Sequence, residues 1–148
     1  MDITFAVIKE RKSPPDKRVV LTPNSCLSLL KSFSSAKVLI ESSDIRSFSD
    51  NDYRSIGMNV SNDMTDADIL IGVKEVPVEQ LIPNKSYFFF SHTIKKQPYN
   101  RKLLKAILDK KITLYDHETL VDDNYNRLIG FGYYAGVVGA YNCIRTIG

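Results

Sequence analysis

The chain is poor in cysteine, in long apolar runs and in net charge, and each shortage excludes a class of protein. Its two cysteines, Cys26 and Cys143, lie far apart in different helical patterns, which argues against a disulfide framework and a paired-cysteine metal site. We therefore expect two core thiols and no bound metal. No apolar run approaches the roughly 20 residues that a membrane helix needs, so no membrane partner is expected. The N-terminal segment lacks the basic start and cleavage site of a signal peptide, which favours a cytoplasmic protein.

Basic and acidic residues almost balance, with 20 lysines and arginines against 17 aspartates and glutamates. The densest basic cluster, within residues 95–111, falls largely on the polar face of a predicted helix, so we expect no nucleic-acid partner. At 148 residues and 43% hydrophobic composition, the chain can form one domain that buries roughly two thirds of its unfolded surface.

Strand-like and helical patterns alternate along the chain, which indicates βαβ units and a mainly parallel sheet. The strand-like runs cover residues 3–8, 37–41, 68–73, 86–90 and 112–115. Helix starts are predicted at Thr22 and Pro23, at Ser49, and at Pro98. The apolar stripe expected in the core on the third helix comprises Leu103, Leu104, Ile107 and Leu108. The sequence therefore predicts an α/β fold with a Rossmann-like, mostly parallel sheet flanked by helices.

Residues 131–148 form a glycine-rich helical pattern that is apolar on nearly every side. Helices of this kind are buried between layers or between domains. We therefore divide the chain into an α/β domain at residues 1–130 and a long apolar interdomain helix at residues 131–148. A further domain is expected beyond residue 148. If the helix is left exposed, its apolar surface favours self-association.

The start of this helix also fits a loose dinucleotide-binding pattern. Gly130, Gly132 and Ala135 match G-x-G-x-x-G/A, whose glycines allow a tight turn beside a pyrophosphate. The strand that should precede the pattern would cover only residues 127–129, and the acidic residue expected about 20 positions later lies beyond the chain. Close helix packing is therefore the favoured interpretation of these glycines.

Two neighbouring strand-like runs end in ionisable side chains. The first ends at Lys74 and Glu75, and the second at His92. Ligands of open α/β sheets collect beyond the carboxyl ends of parallel strands, so we expect an amine and an imidazole that face one pocket. A lysine that acts as a base near neutral pH needs its pKa lowered by roughly three units. Burial or a nearby imidazolium lowers that pKa, whereas the Glu75 carboxylate raises it.

Three further polar side chains are predicted near the same edge. His117 and Glu118 follow the next strand-like run, and Arg18 lies in the loop after the first strand, where it is placed to clamp a carboxylate. Each also has an ordinary structural interpretation: a loop ion pair for Arg18, a surface position for His117 and a first-turn helix charge for Glu118.

Taken together, five ordered segments resemble the N-terminal domain of the alanine dehydrogenase, transhydrogenase and saccharopine dehydrogenase superfamily. The third and fourth segments look most like its lysine-pathway branch, which contains lysine-ketoglutarate reductase and lysine-forming saccharopine dehydrogenase. The segments are Arg18-Val-Val-Leu-Thr-Pro23, Gly72-Val-Lys-Glu75, Phe90-Ser-His-Thr-Ile-Lys-Lys-Gln97, Leu114-Tyr-Asp-His-Glu118 and Phe131-Gly-Tyr-Tyr-Ala-Gly-Val-Val-Gly139.

The resemblance implies an NAD(P)-dependent oxidoreductase that joins lysine and 2-oxoglutarate through an imine, or runs the reverse reaction. The cofactor, NAD or NADP, would be held mainly by the expected second domain. An alanine dehydrogenase-like enzyme and a non-catalytic binding or assembly module remain as alternatives. Two segments depart from the family pattern, residues 13–17 and 122–126, and they leave the exact substrate open.

The resemblance also implies roles for side chains at the predicted edge. The roles are acid/base catalysis, adjustment of the pKa of the acid/base groups, and binding of substrate carboxylates. The matching residues are, in that order, Lys74 and His92, Glu75 and Glu118, and Arg18 and Lys95.

Overall fold

The computed structural model describes residues 2–147, in which six parallel strands form one sheet. The strands are β1 (Ile3–Val7), β2 (Ala36–Glu41), β3 (Asn59–Ser61), β4 (Ile69–Lys74), β5 (Ser86–Phe90) and β6 (Thr113–Asp116). Their order across the sheet is β3-β2-β1-β4-β5-β6, with each neighbouring pair parallel. This is the order of a doubly wound α/β sheet. The predicted α/β fold with a Rossmann-like parallel sheet is confirmed.

Helices α1 and α2 begin where the local sequence signals predict, and α3 begins later. They are α1 (Pro23–Ser32), α2 (Asp50–Arg54), α3 (Arg101–Asp109) and α4 (Gly132–Ile147), with single 3₁₀ turns at Val78–Gln80, Thr93–Lys95, Pro98–Asn100 and His117–Thr119. The Thr22 side chain accepts a hydrogen bond from the Ser25 N–H and caps α1. Ser49 and Asp52 form a reciprocal capping box on α2. Pro98 opens a 3₁₀ turn that leads into α3, so this helix begins three residues later than predicted.

Alternating side chains of the strands build a core on each face of the sheet. One core packs strand residues such as Leu70 and Phe89 against Leu103 and Ile107 of α3. The other packs Ile40 and its neighbours beneath α1 and α2. With both faces carrying buried side chains, the strand ends are the part of the sheet where polar groups collect.

Three predictions about individual elements were wrong. Strand β3 was not predicted because it has three residues and a single apolar side chain, Val60. Leu104 and Leu108 are 43% and 69% exposed, since α3 buries a narrower stripe than its sequence pattern indicates. Cys26 is a buried thiol as expected, but Cys143 is exposed on α4.

The terminal helix differs from the expectation of a long apolar helix. Helix α4 has 16 residues, and none of them is buried against the rest of residues 2–147. Its role as a connection to a second domain stays a prediction, as does the boundary at residue 130. No helix in the described part of the chain combines the length and apolar character needed to cross a membrane.

Candidate active site

Polar side chains follow three neighbouring strands at their carboxyl ends. We call this side of the sheet its carboxyl edge. Lys74 ends β4, His92 follows β5 by two residues, and Glu118 follows β6 by two residues. The strand registers pair Lys74 with Phe90, and Phe89 with Asp116, so these strand ends lie side by side. The structure therefore brings both predicted acid/base residues to the same edge of the sheet.

Glu118 is the electrostatic centre of this edge. Its side chain is 7% exposed, and its Oε2 lies 3.1 Å from His92 Nδ1. Its Oε1 lies 3.2 Å from Lys95 Nζ and 3.1 Å from Arg127 Nη2. The hydrogen bond from His92 is the largest cause that holds the pKa of Glu118 below its ordinary value, although desolvation acts in the opposite direction.

The contact with Glu118 determines which nitrogen of the His92 imidazole carries a hydrogen. Because Nδ1 faces a carboxylate, it carries a hydrogen and donates it to Oε2. The 3.4 Å contact between Lys95 Nζ and the same nitrogen is therefore not a hydrogen bond. Within residues 2–147, Nε2 has no hydrogen-bond partner and is the nitrogen that can exchange a proton with a bound molecule.

The backbone of His92 has an uncommon conformation that its neighbours stabilise. Its φ of 56° lies in the left-handed region, which non-glycine residues seldom adopt. The Asn100 side chain donates a hydrogen bond of 3.0 Å to the His92 carbonyl. The preceding Ser91 is fully buried, donates to the Asp116 carboxylate and accepts from the Thr93 N–H. The turn that presents the imidazole is thus held from both sides.

A second charged group lies in the loop between β1 and α1. The Arg18 guanidinium binds the Asp16 carboxylate through Nε (2.9 Å to Oδ1) and Nη2 (2.5 Å to Oδ2). This bond is the main reason that the pKa of Asp16 is lowered, and the Lys74 charge contributes to the same effect. The ammonium group of Lys74 forms no hydrogen bond or ion pair with any residue from 2 to 147.

Aromatic rings connect Arg18 with His92. Arg18 stacks over the Phe131 ring at 4.6 Å, and that ring is 6.0 Å from the ring of Phe90. Phe90 in turn stacks on the His92 imidazole at 6.3 Å. Arg18 and His92 therefore border one aromatic cluster, defined by Phe90 and Phe131, at the carboxyl edge of the sheet.

Glu75 lies apart from these contacts. Its Oε1 forms an ion pair with Lys12, and its Oε2 is buried without a hydrogen-bond partner in the described part of the chain. No hydrogen bond joins it to His92 or to the Lys74 side chain among residues 2–147, so its adjustment of their pKa values stays a prediction.

The structure adds residues that the sequence did not single out. Lys12, Asp16 and Arg127 contact the predicted site residues, and they lie on loops whose approach to the edge depends on the tertiary fold. His117, which we expected at the surface, is only 3% exposed. No group of three or more metal-binding side chains comes together within residues 2–147.

Comparisons with known proteins agree with the observed fold. Residues 6–138 match the model of a family described as "Alanine dehydrogenase/PNT, N-terminal domain". The chain belongs to this family. The predicted superfamily is confirmed.

Two curated relatives match nearly the whole chain. The mitochondrial alpha-aminoadipic semialdehyde synthase of Rattus norvegicus is 37% identical over 144 residues, covering 97% of this chain and 15% of the rat protein. The saccharopine dehydrogenase [NAD(+), L-lysine-forming] of Yarrowia lipolytica is 30% identical over 144 residues, covering 94% of this chain and 38% of the yeast protein. The chain thus spans between about a seventh and two fifths of these relatives.

Two solved structures share the fold of this family domain. An L-alanine dehydrogenase superposes with a TM-score of 0.65 at 21% identity, covering 84% of this chain and 35% of that one. The transhydrogenase of Sinorhizobium meliloti superposes with a TM-score of 0.64 at 18% identity, covering 78% of this chain and 35% of that one.

The rat relative is named as mitochondrial, so the cytoplasmic location stays a prediction.

Proposed function

We propose that this family domain is the substrate-binding and catalytic N-terminal domain of an NAD(P)-dependent amino-acid oxidoreductase of the lysine and saccharopine pathway. The observation that carries the proposal is the arrangement at the carboxyl edge, where Glu118 orients the His92 imidazole and the Lys74 ammonium has no protein partner within residues 2–147. The name of the Yarrowia lipolytica relative supports saccharopine and lysine as substrates. The keto acid 2-oxoglutarate is the partner of lysine that the resemblance of the sequence implies.

The two groups divide the proton transfers between them. Lys74 exchanges a proton with the secondary amine of the substrate, because its ammonium is not neutralised by an ion pair with another described residue. His92 exchanges a proton through Nε2 during formation or hydrolysis of the carbinolamine, while the Nδ1 hydrogen bond to Glu118 keeps the ring oriented.

The charge at this edge suits a substrate with several carboxylates. Lys95 and Arg127 share the single Glu118 carboxylate with His92, so positive charge is in excess there. Arg18 is partly exposed and already paired with Asp16, so a substrate carboxylate would share that guanidinium or displace Asp16. Lys95, Arg127 and Arg18 are thus the proposed anchors for substrate carboxylates.

The residues of this chain do not fit a dinucleotide at the usual place in such a sheet. Doubly wound sheets bind dinucleotides where the strand order reverses, which here is the crevice between β1 and β4. That crevice holds the Glu10 carboxylate, which is 7% exposed and accepts hydrogen bonds from the Val73 and Lys74 N–H groups. A pyrophosphate would meet a buried carboxyl group there, and burial raises the pKa of that group.

The glycine pattern at the start of α4 offers no second place for a dinucleotide. The segment before Gly130 forms an isolated antiparallel bridge between Val121 and Arg127 instead of a parallel strand. A nicotinamide cofactor, which supplies the hydride, is therefore proposed to bind mainly to a domain beyond residue 148. Whether it is NAD or NADP is decided by that domain.

The proposed reaction is tested by steady-state kinetics of the full-length gene product. We expect oxidation of saccharopine with NAD or NADP, and the reverse reaction with lysine, 2-oxoglutarate and the reduced cofactor. Alanine and pyruvate should be poor substrates and weak competitors. Efficient turnover of alanine would replace this proposal by an alanine dehydrogenase-like activity, and inactivity toward all of these substrates would favour a non-catalytic binding module.

A further inference from the structure

The end of β4 contains an irregularity directly before Lys74. Ile71 pairs with Phe88 and Lys74 pairs with Phe90, so three steps along β4 correspond to two steps along β5. Such a β-bulge inserts an extra residue into one strand and changes the direction of the side chains that follow. The orientation of the Lys74 side chain therefore depends on how the bulge at residues 72–74 is held.

One side of the bulge is held by Glu10, which follows β1. Its Oε1 accepts a hydrogen bond of 2.7 Å from the Val73 N–H, and its Oε2 accepts one of 2.8 Å from the Lys74 N–H. The two oxygens of this nearly buried carboxyl group thus accept hydrogen bonds from two successive backbone N–H groups. Removal of this acceptor would leave two N–H groups without partners beside the sheet.

The other side of the bulge is held by His117, which follows β6. Its Nε2 lies 3.0 Å from the Gly72 carbonyl oxygen, so Nε2 donates and the ring reaches past β5 to β4. The imidazole is 3% exposed and meets the Phe90 ring edge-on at 5.2 Å. Its Nδ1 is buried and has no hydrogen-bond partner in the described part of the chain. Burial lowers the pKa of His117, which favours the neutral ring that this geometry requires.

Gly72 allows both side chains to approach. A Cβ atom at this position would lie 3.0 Å from two side-chain carbons of Ile8 and 3.5 Å from Glu10 Oε1. The glycine therefore leaves the space in which the Glu10 carboxylate reaches the bulge. Glu10, Gly72 and His117 form one unit around the backbone of residues 72–74.

We propose that Glu10 and His117 are positioning residues that hold the bulge in β4 from opposite sides and thereby aim the Lys74 side chain. Neither is among the residues proposed above to bind the substrate or exchange a proton with it. The consequence for catalysis rests on the proposed function above, whereas the placement of Lys74 does not. His117 also connects the strand of Lys74 to the turn that carries Glu118, so one hydrogen bond links the strand of Lys74 to the carboxylate that orients His92.

The proposed placement of the Lys74 side chain is tested by crystal structures of the full-length wild type and of three variants. The variants are His117→Gln, His117→Phe and Glu10→Gln. Glutamine can present a donor where His117 Nε2 lies, while phenylalanine keeps the ring and loses the donor. We expect Lys74 to keep its position in His117→Gln and to move by about 1 Å in the other two variants, a displacement large enough to alter rates strongly. An unmoved Lys74 in both His117→Phe and Glu10→Gln would overturn the proposal.

Kinetics of the same proteins separate positioning from simple stability. In His117→Phe, kcat should fall about tenfold while KM for the amino-acid substrate changes little, and His117→Gln should recover most of the loss. Ile107→Ala is the matched control, since it removes buried side-chain volume far from this edge and should lower the melting temperature without changing kcat. A loss of kcat in His117→Phe no larger than in Ile107→Ala would contradict the proposal. Inactivity of the wild type would refute the proposed function, and the crystal structures would still decide the role of the bulge.

Discussion

At the scale of single residues, the strongest feature of the site is the contrast between Glu118 and Lys74. Glu118 is nearly buried and shared by three basic side chains, while Lys74 has no ion-pair partner within residues 2–147. A carboxylate in the first environment stays ionised and orients its neighbours, and an amine in the second can exchange protons with a ligand. The same chemistry explains why His92, held through Nδ1, has Nε2 free for proton transfer.

Substitution of Lys74 by methionine tests the first proposed role at this scale. In the full-length protein, Lys74→Met should lower kcat by roughly 10² or more, because the proton transfer at the substrate amine loses its partner. Lys102→Met, on the exposed face of α3, is the matched control and should keep the wild-type kcat. A fully active Lys74→Met enzyme with an unchanged pH profile would remove Lys74 from the mechanism.

The Glu118 carboxylate predicts a pH dependence of stability. Its pKa in the folded protein lies below the ordinary value of 4.5, so the stabilisation is present above pH 4.5 and is lost as the pH falls through the folded-state pKa. Glu118→Gln removes this contribution. Thermal unfolding of both proteins should show a difference in melting temperature near neutral pH that shrinks below pH 4.5. A difference that grows on acidification would contradict the assignment.

At the scale of elements, the site depends on how strands end. The left-handed residue His92 after β5, the 3₁₀ turn after β6 and the bulge in β4 each redirect the chain at the same edge. Regular strands would continue their alternation and place successive side chains on opposite faces of the sheet. These irregular ends instead bring polar side chains together beyond the sheet.

Glycine substitutions test the packing of the β4 bulge at this scale. Gly72→Ala should lower the free energy of unfolding by about 1–3 kcal/mol, because the added methyl group would overlap Ile8 in a packed site. Gly130→Ala is the control, since a Cβ there meets no atom within 4 Å and the stability should change little. Urea unfolding of both variants measures the difference. Equal stability of both variants would show that residue 72 has room for a side chain.

At the scale of the whole molecule, α4 is the helix that buries none of its residues in the described part of the chain. Its sequence is largely apolar, yet every residue for which burial is described is exposed within residues 2–147. An apolar surface of this kind seldom remains in contact with water. A second domain of the same chain, as proposed here, or a second copy would each cover it.

Self-association of the 148-residue polypeptide is the prediction at this scale. Val137, Tyr141 and Ile144 share one face of α4 and are exposed, so we expect a sedimentation coefficient that rises with concentration. Val137→Glu combined with Ile144→Glu should abolish the rise, whereas Leu108→Glu on α3 should not. A monomer at all concentrations would show that the apolar face of α4 does not drive association.

Local signals in the sequence predicted five of the six strands, the starts of α1 and α2, and the end of the sheet that carries the site. The cap at Thr22, the capping box at Ser49 and the alternating strands depend on neighbours within a few residues, so they could be predicted without the fold. The placement of Lys74 and His92 at strand ends followed from the same patterns. Their predicted roles have yet to be tested.

Tertiary structure alone decided which side chains meet at that edge. Glu75 pairs with Lys12, and Glu118 with His92, because segments distant in sequence meet at the same place. His117 is buried with its Nε2 bonded to the Gly72 carbonyl of β4, 45 residues away in sequence, and no local pattern encodes that contact. Sequence determines where a strand ends, since that is a property of neighbouring residues. The partner of a side chain is set by packing across the whole sheet, which is a property of the fold.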